Sequence, residues 1–357
     1  MKISYLPVTI QDAINGVQIE GDVFGVAMRS LTKVRREAFL SNPCLNNKDS
    51  LMLLLAQVDG IVCGKRMFYP TRMMANGEIV NTIGGSNYYV HPDYRKYAIG
   101  GALIMHAAKK ANNFMLSAGC SKQSLKIYEA MRAGIFQYPR LMLPMKPFAH
   151  RQYSGVKGIA LSLREVFHNA PYYVKGKISS RNLIEKSKSF EVKEVKDVPA
   201  WVGEMVKNDP HPYKELHDSQ WMQWNLDYNF CGDSSTGNIQ KFLEIYHKGK
   251  PIGFALLAER KRYGLTIGSV QEWQSDDEKI LSESDIYYLS IQHFSKGVSC
   301  VKIATISEKV IDELKNNGFR DDGKANIVFK DLLKKYEDIN DISKWRIRLG
   351  YADEIMS

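Results

Sequence analysis

The 357-residue chain lacks several features, and each absence narrows its class. No segment approaches the roughly 18–20 consecutive apolar residues that a membrane-spanning helix needs. The first 16 residues contain no apolar signal core, so we expect a cytoplasmic protein. Five cysteines occur without paired spacing. That scatter argues against a disulfide framework and against a zinc site, and we expect no metal.

Acidic residues are fewer than basic ones. The chain contains 49 Lys and Arg against 39 Asp and Glu, a formal net charge of +10. The basic residues are spread along the chain, and no nucleic-acid-binding motif is present. We therefore expect a small anionic or nucleotide-linked ligand rather than nucleic acid.

The first half of the chain alternates between strand and helix patterns. An Asp-Gly turn at 59–60 and an Asn-Gly turn at 76–77 separate the first three strands. We expect a bulge at Gly84-Gly85 in the third strand. The predicted strands are 51–58, 61–70, 78–90, 114–118 and 135–145, and the predicted helices are 99–112 and 121–134.

The second half repeats this order of elements with almost no sequence match. Its predicted strands are 241–247, 251–260, 263–273, 301–305 and 326–330, and its predicted helices are 284–297 and 307–319. The repeat indicates an α/β protein built from two copies of one unit of about 100 residues. We place the first domain at 1–150, a connecting region at 151–200 and the second domain at 201–357.

The stretch VHPDYRKYAIGGALI, residues 90–104, places cations and glycines where a strand becomes a helix. Exposed amides and the dipole at a helix N-terminus bind anions. A Gly-Gly pair can also serve only to let a helix and a strand pack closely. The sequence leaves both interpretations open.

This stretch resembles the acyl-CoA loop of the GCN5-related N-acetyltransferase (GNAT) superfamily. The family pattern is Arg or Gln, two residues, Gly, one residue, then Gly or Ala, and Arg95, Ala98 and Gly100 occupy these positions. Ala98 departs from the usual glycine. The resemblance implies two tandem GNAT-like domains, each a mixed, mostly antiparallel sheet flanked by helices. It also implies that the CoA diphosphate is bound by Val90, Arg95, Lys96, Tyr97, Ala98, Ile99, Gly100 and Gly101.

The predicted helix 121–134 adds to the resemblance. Ser121, Ser124, Ile127 and Tyr128 match the family in spacing, with Ser121 in place of the Asn that commonly contacts the CoA arm. The resemblance implies that Tyr128 is the general acid that protonates the departing thiolate, for which a phenol is chemically suited. An ordinary half-buried helix tyrosine is the alternative.

A general base is harder to choose. His91 has a suitable pKa, although a surface histidine before proline is also ordinary. Other candidates on the strand before the loop are Glu78, Ser86, Asn87 and Tyr88. The segment 211–224 is rich in His, Glu, Asp and Trp, so it either lines an acceptor pocket or supplies a helix cap and core tryptophans.

The resemblance implies an acyl-CoA-dependent N-acyltransferase, and more narrowly an N-acetyltransferase with acetyl-CoA as co-substrate. Only the first domain should bind CoA, because the matching stretch 272–278 of the second is acidic and lacks glycine. A loose similarity of the C-terminal half to proteins of bacterial surface-polysaccharide gene clusters implies an amino sugar, or a nucleotide-linked one, as acceptor. A peptidyltransferase that uses aminoacyl-tRNA and a non-catalytic binding protein are the alternatives.

Overall fold

A computed structural model describes residues 1–15, 33–111, 113–147, 166–179, 188–228, 238–262 and 265–350. Its strands are β1 (Ile3–Thr9), β2 (Leu51–Val58), β3 (Ile61–Ala75), β4 (Glu78–Val90), β5 (Phe114–Ala118), β6 (Gly134–Pro144), β7 (Phe190–Val195), β8 (Tyr213–Glu215), β9 (Ile239–His247), β10 (Lys250–Arg262), β11 (Leu265–Ser275), β12 (Cys300–Ala304) and β13 (Arg320–Asp331).

The α-helices are α1 (Ile10–Ile14), α2 (Lys33–Leu40), α3 (Ile99–Lys110), α4 (Lys122–Ala130), α5 (166–179), α6 (Ala200–Lys207), α7 (Ser219–Tyr228), α8 (Glu283–Ile291) and α9 (Glu308–Asn316). Short 3-10 turns cover Pro92–Tyr97 and Ile342–Lys344. In the described part of the chain, no helix is long and apolar enough to cross a membrane.

All thirteen strands join one sheet. Its order is β1-β2-β3-β4-β5-β13-β6-β12-β11-β10-β9-β7, and β8 pairs with the far end of β3. Two neighbouring pairs, β4–β5 and β11–β12, are parallel, and the other described pairs are antiparallel. The predicted α/β class, with a mixed and mostly antiparallel sheet, is confirmed.

The two halves exchange strands at the centre of the sheet. Strand β13 of the second half lies between β5 and β6 of the first, and β6 lies between β13 and β12. A Cβ at Gly134 would overlap the ring of Phe329, which shows how closely β6 and β13 pack. The connecting region predicted at 151–200 contains α5, β7 and the first residue of α6.

The predicted hairpin turns are confirmed, because Asp59-Gly60 and Asn76-Gly77 both take positive φ angles between paired strands. The bulge predicted at Gly84-Gly85 is wrong. Both glycines pair in register with β3, and the register instead shifts between Ser86 and Tyr89.

Gly84 and Gly85 are needed for another reason. A Cβ at Gly84 would overlap the ring of Tyr69, and one at Gly85 would overlap the guanidinium of Arg66. Side chains from β3 therefore lie flat across both faces of β4, and only glycine leaves room for them.

A buried cluster of charges lies in the second half and contacts the first through Glu215, which accepts from the hydroxyl of Thr71 over 2.7 Å. His217 is fully buried, with its Nδ1 2.8 Å from Glu272 and its Nε2 3.5 Å from Glu215. Its ring stacks on Trp221 at 3.4 Å, and Arg346 donates to Glu272 over 2.7 Å. A buried charge cluster of this kind is stable only while its members remain paired.

The segment 211–224 supplies this cluster and a helix cap. Asp218 accepts from the amide of Trp221, and both Trp221 and Trp224 are buried in the core. The interpretation as a cap with core tryptophans is therefore confirmed.

The charge cluster makes stability depend on pH. Burial alone disfavours the imidazolium, but Glu215 and Glu272 outweigh it and raise the pKa of His217 above its usual value of about 6.5. The resulting stabilisation is complete below about pH 6.5 and is lost as the pH rises through the folded-state pKa. Urea unfolding should show this fall as a negative slope of the free energy of unfolding above about pH 7.

His217→Gln is the comparison, because its amide does not titrate. We expect this variant to be less stable than the wild type by about 3 kcal/mol near neutral pH. It should also lose the slope on the alkaline side, and an unchanged slope would mean that another group causes the pH dependence.

Candidate active site

The candidate site begins where the parallel strands β4 and β5 part. They pair at Ile83–Met115, Gly84–Leu116 and Gly85–Ser117 only. Strand β4 then continues to Val90, and its bulge after Ser86 bends it away from β5. The result is a fork in the sheet, and among the described strands none lies beside the inner edge of β4 beyond Gly85.

The predicted loop lies at the open end of this fork. The 3-10 turn Pro92–Tyr97 leads to Ala98, and α3 begins at Ile99. Helices α1, α4, α8 and α9 are each capped by a Ser or Thr side chain, whereas α3 has no side-chain cap. Helix α6, which follows Pro199, also has none. The first amides of α3 are therefore free to bind an anion.

Ala98 adopts the left-handed conformation, with φ of 55° and ψ of 19°. An alanine in this conformation is strained by roughly 1–2 kcal/mol, because its Cβ approaches the carbonyl oxygen. This position in the loop thus needs the geometry that glycine adopts most easily, which explains why the family pattern has glycine there.

Two cations flank the loop. Arg95 and Lys96 are exposed, with Arg95 donating to the carbonyl of Val90 over 3.0 Å and Lys96 lying over the ring of Tyr97. Both charges are therefore held near the uncapped start of α3.

Gly100 and Gly101 have different surroundings. A Cβ at Gly100 would overlap the hydroxyl oxygen of Tyr88, so close packing of β4 on α3 requires glycine here. At Gly101 the nearest atoms to an added Cβ are 3.8 Å away on Met131. Both sequence interpretations of the pair thus have support: Gly100 allows close packing, and Gly101 leaves the helix start open.

Helix α4 carries Tyr128 and is held by the second half of the chain. The side chain of Asn326 in β13 accepts from the amide of Cys120 over 2.8 Å and donates to its carbonyl over 3.0 Å. At the other end of α4, Lys330 donates to the carbonyl of Met131 over 2.7 Å. The exchanged strand therefore positions the predicted acid from both ends of its helix.

Ser121, a predicted CoA contact, is the N-cap of α4. Its oxygen accepts from the amide of Ser124 over 3.2 Å, and the side chain is exposed. The structure accounts for this serine as a helix cap, and its contact with CoA stays a prediction.

Tyr128 lies in a buried polar cluster at the base of the fork. Arg66 donates to the hydroxyl of Tyr128 over 2.5 Å and to the hydroxyl of Ser117. Ser117 donates to the carbonyl of Leu116, so Tyr128 is the donor in its 3.1 Å contact with Ser117. The phenol is thus fully buried, is held by Arg66 and Ser117, and carries a proton that it donates to Ser117.

Burial keeps both tyrosines of the fork protonated. Desolvation raises the pKa of Tyr128 despite the nearby guanidinium, and it raises the pKa of Tyr88 to about 12. Tyr88 packs between Arg66 and Gly100, with its ring 5.2 Å from the cation. Its hydroxyl oxygen is buried and has no hydrogen-bond partner among the described residues.

Arg66 is 2% exposed, yet no carboxylate pairs with it in the described parts of the chain. Its only hydrogen-bond partners there are the two hydroxyls, and its Nε and Nη1 atoms have none. A buried cation without a counter-ion is costly, so this arrangement suits a site where negative charge arrives with a ligand or develops during reaction.

Two other candidates for a base, His91 and Glu78, lie apart from this cluster. His91 caps the open end of β4, where its ring lies against Tyr94 and 3.6 Å from Asp93. Glu78 begins β4, about 23 Å of strand from Gly85, and pairs with Lys335 at the surface. The side chain of Asn87 lies outside the described residues.

Sequence reasoning missed Arg66 and Ser117. The signal for Arg66 was present, because an arginine inside the apolar strand IVCGKRMF needs a buried partner or a function. Ser117 carried no signal, since one serine in FMLSA is equally compatible with an ordinary strand.

The matching helix of the second half cannot bind an anion in this way. Ser282 and Asp285 form a reciprocal cap at the start of α8, and Glu283 adds a further negative charge. Its first amides are therefore already occupied, and that only the first half binds CoA stays a prediction.

Solved acyltransferases have a similar fold. A GCN5-related N-acetyltransferase from Anabaena variabilis has a TM-score of 0.53 at 10% identity, with 93% of this chain and 73% of that one covered. The N-myristoyltransferase of Saccharomyces cerevisiae, with bound myristoyl-CoA, has a TM-score of 0.54 at 13% identity, with 92% and 78% covered. A probable N-acyltransferase from Enterococcus faecalis has a TM-score of 0.53 at 11% identity, with 93% and 73% covered.

No family sequence model matches the chain, and no curated protein matches it by sequence. At these identities the structural likeness shows the fold alone, and that fold is the one these solved N-acetyltransferase and N-myristoyltransferase structures share. The resemblance inferred from the loop and the tyrosine-bearing helix is confirmed at this level.

The strain at Ala98 can be measured. Ala98→Gly should raise the free energy of unfolding by about 0.5–1 kcal/mol, because relief of the left-handed strain exceeds the greater chain entropy of glycine. Ala102→Gly, inside α3, is the matched control and should lower it by about 1 kcal/mol. Equal destabilisation by both changes would show that Ala98 is not strained.

Proposed function

We propose that the protein is an acyl-CoA-dependent N-acyltransferase whose site is the fork between β4 and β5. The buried cation Arg66, without a counter-ion and bonded to the hydroxyl of Tyr128, is the observation that carries the proposal. Acyl transfer from a thioester generates negative charge on oxygen and then on sulfur, which is the charge this pair would stabilise.

The diphosphate of CoA would bind at the uncapped start of α3. The amides of Ile99, Gly100 and Gly101 form the first helical turn, and Arg95 and Lys96 precede it. A helix dipole, free amides and two cations together favour a multiply charged anion. The amide-containing arm of CoA would then run along β4 beyond its pairing with β5, as an added strand does.

Tyr88 lies on the path from that diphosphate to Tyr128, since it contacts both Gly100 and Arg66. A bound arm therefore requires the Tyr88 side chain to rotate away. Its buried hydroxyl, unpartnered in the described structure, would gain a hydrogen bond by moving, which favours the change.

The reaction would proceed in one transfer step. The amine nitrogen attacks the thioester carbon and forms a tetrahedral species, and the carbon–sulfur bond then breaks. Tyr128 donates its proton to the leaving thiolate, while Arg66 stabilises the negative charge. The proton lost by the amine goes to a base, for which His91 remains our proposal because it lies at the open end of β4.

Acetyl is the acyl group that we propose, and the acceptor is an amine of the amino sugar class. The choice of an amino sugar as acceptor rests on the sequence similarity of the C-terminal half. A panel of amino sugars, nucleotide-linked amino sugars, amino acids and peptides with acetyl-CoA would test it by release of free thiol.

A non-catalytic binding protein is the rival with structural support. Tyr88 fills the fork and Tyr128 is only 1% exposed, so the site is closed as it stands. Binding of CoA without thiol release from any amine would favour the rival.

Gly101→Glu tests the binding site. Gly101 has room for a side chain, and a carboxylate in the first turn of α3 would take up the anion site and repel the diphosphate. We expect CoA affinity to fall at least about tenfold while the free energy of unfolding stays equal or rises. Gly100 is unsuitable for this test because any Cβ there meets Tyr88.

Gly101→Gln is the matched neutral control and should retain CoA binding. Thermal shift reads out the result, since a ligand at a hundred times its Kd adds about 2.7 kcal/mol. Equal binding by Gly101→Glu and the wild type would remove α3 from the proposed site.

Arg66→Met tests the chemistry. Removal of a buried, unpaired cation should keep or raise the free energy of unfolding, while turnover falls by about 10²–10³-fold. CoA affinity should change little, because the guanidinium acts on charge that develops later. Tyr128→Phe should likewise lower turnover with CoA affinity retained.

Loss of turnover that merely parallels loss of stability would assign Arg66 a structural role. Unchanged turnover in Tyr128→Phe would remove that tyrosine as the acid.

A further inference from the structure

The outer face of helix α5 carries an apolar stripe. Phe167, Val174 and Ile178 are 74%, 52% and 61% exposed. At about 100° of rotation per residue they fall within about 40° of one another on the helix, with the exposed Pro171 beside them. Three large apolar side chains aligned on one surface differ from the singly scattered apolar residues that most surfaces show.

The opposite face of α5 is anchored to the protein. Asn169 is fully buried, and Gly176 lies so close to Leu143 that a Cβ there would be 2.8 Å from that side chain. Gly318, which follows α9, approaches the backbone of Gly176 and Tyr172. The helix is therefore docked by its inner face, and the apolar stripe is left on the outside.

Basic residues border the stripe. Lys175 and Lys177 are exposed and lie about 80° to either side of it on the helix. Lys175 reaches the carbonyl of Lys315, and Lys177 lies over the ring of Tyr173. Residues 166–179 include no Asp or Glu.

Along the sequence, much of the chain's net charge falls in the stretch that contains this helix. Residues 146–188 contain nine Lys and Arg and two Asp and Glu, a net charge of +7 out of +10 for the protein. Basic residues are spread along the chain, but acidic residues largely avoid this region.

We propose that the outer face of α5 binds the surface of an anionic lipid membrane. A helix with an apolar stripe between flanking lysines is suited to lie in the plane of the interface, with the apolar side chains among the acyl chains and the lysines near the headgroups. Nucleic acid would match the charge but not the exposed valine and isoleucine. A second copy of this chain would bring the same basic region against itself. The proposal does not depend on the acyltransferase activity.

Vesicle sedimentation of the full chain tests it. Vesicles of phosphatidylcholine with about one third phosphatidylglycerol should bind the protein at about 0.1 M salt, and pure phosphatidylcholine should bind it weakly. The triple change Phe167→Ser, Val174→Ser and Ile178→Ser should reduce binding at least about tenfold. Its matched control changes three exposed apolar residues elsewhere, Ile79→Ser, Ile239→Ser and Leu333→Ser, and should bind as the wild type does.

Two double variants that reverse lysine charges complete the experiment. Lys175→Glu with Lys177→Glu should weaken binding more than Lys248→Glu with Lys250→Glu, which alters the net charge equally in an exposed turn. Equal loss in stripe and control variants would overturn the proposal, as would absence of binding to anionic vesicles. Self-association that the triple change abolishes would assign the stripe to a second copy, and stripe-independent binding to RNA would assign the charge to nucleic acid. Either result, without vesicle binding, would also overturn it.

Discussion

The pairing of β13 between β5 and β6 is the constraint on which the rest of this structure depends. This pairing joins two halves of one chain into a continuous sheet. Strand β13 lies directly beside β5 and β6, the two strands that helix α4 connects. Asn326 and Lys330, on the exchanged strand, hold the two ends of that helix, so the position of Tyr128 is decided by residues about 200 positions away. Such long-range pairing must form before the site exists, which makes the first half dependent on the second.

Three unfavourable local features lie together at the fork between β4 and β5. Arg66 is buried without a counter-ion, Tyr88 keeps an unpartnered buried hydroxyl within the described structure, and Ala98 is left-handed. Elsewhere in the described core, buried charges such as His217 and Glu272 are paired. Departures from local stability rules that cluster at one place are typical of a functional site, because the compensating interactions arrive with the ligand or in the transition state.

The two halves share a topology but differ in charge at the corresponding helix starts. Helix α3 begins with free amides beside two cations, whereas α8 begins with its own carboxylates as caps. The second half uses this region for packing instead: Glu272, which lies in the matching acidic stretch, is buried against His217 and Arg346. One unit thus has an uncapped helix start beside two cations, and the other uses the same region for packing.

The sequence by itself determined the order of the strands and helices at 51–145 and 241–330, the hairpin turns, the loop before α3 and the tyrosine on α4, whereas β1, β7, β8 and the helices outside those ranges were not predicted. Hydrophobic periodicity, Asp-Gly and Asn-Gly pairs and short motifs are local signals, and local signals can be read from one chain. Only the tertiary structure decided the exchange of β6 and β13, the role of Gly84 and Gly85 as space for β3 side chains, and the meeting of Arg66, Ser117 and Tyr128. Those features depend on contacts between residues distant in sequence, for which a single sequence carries no periodic or compositional signal.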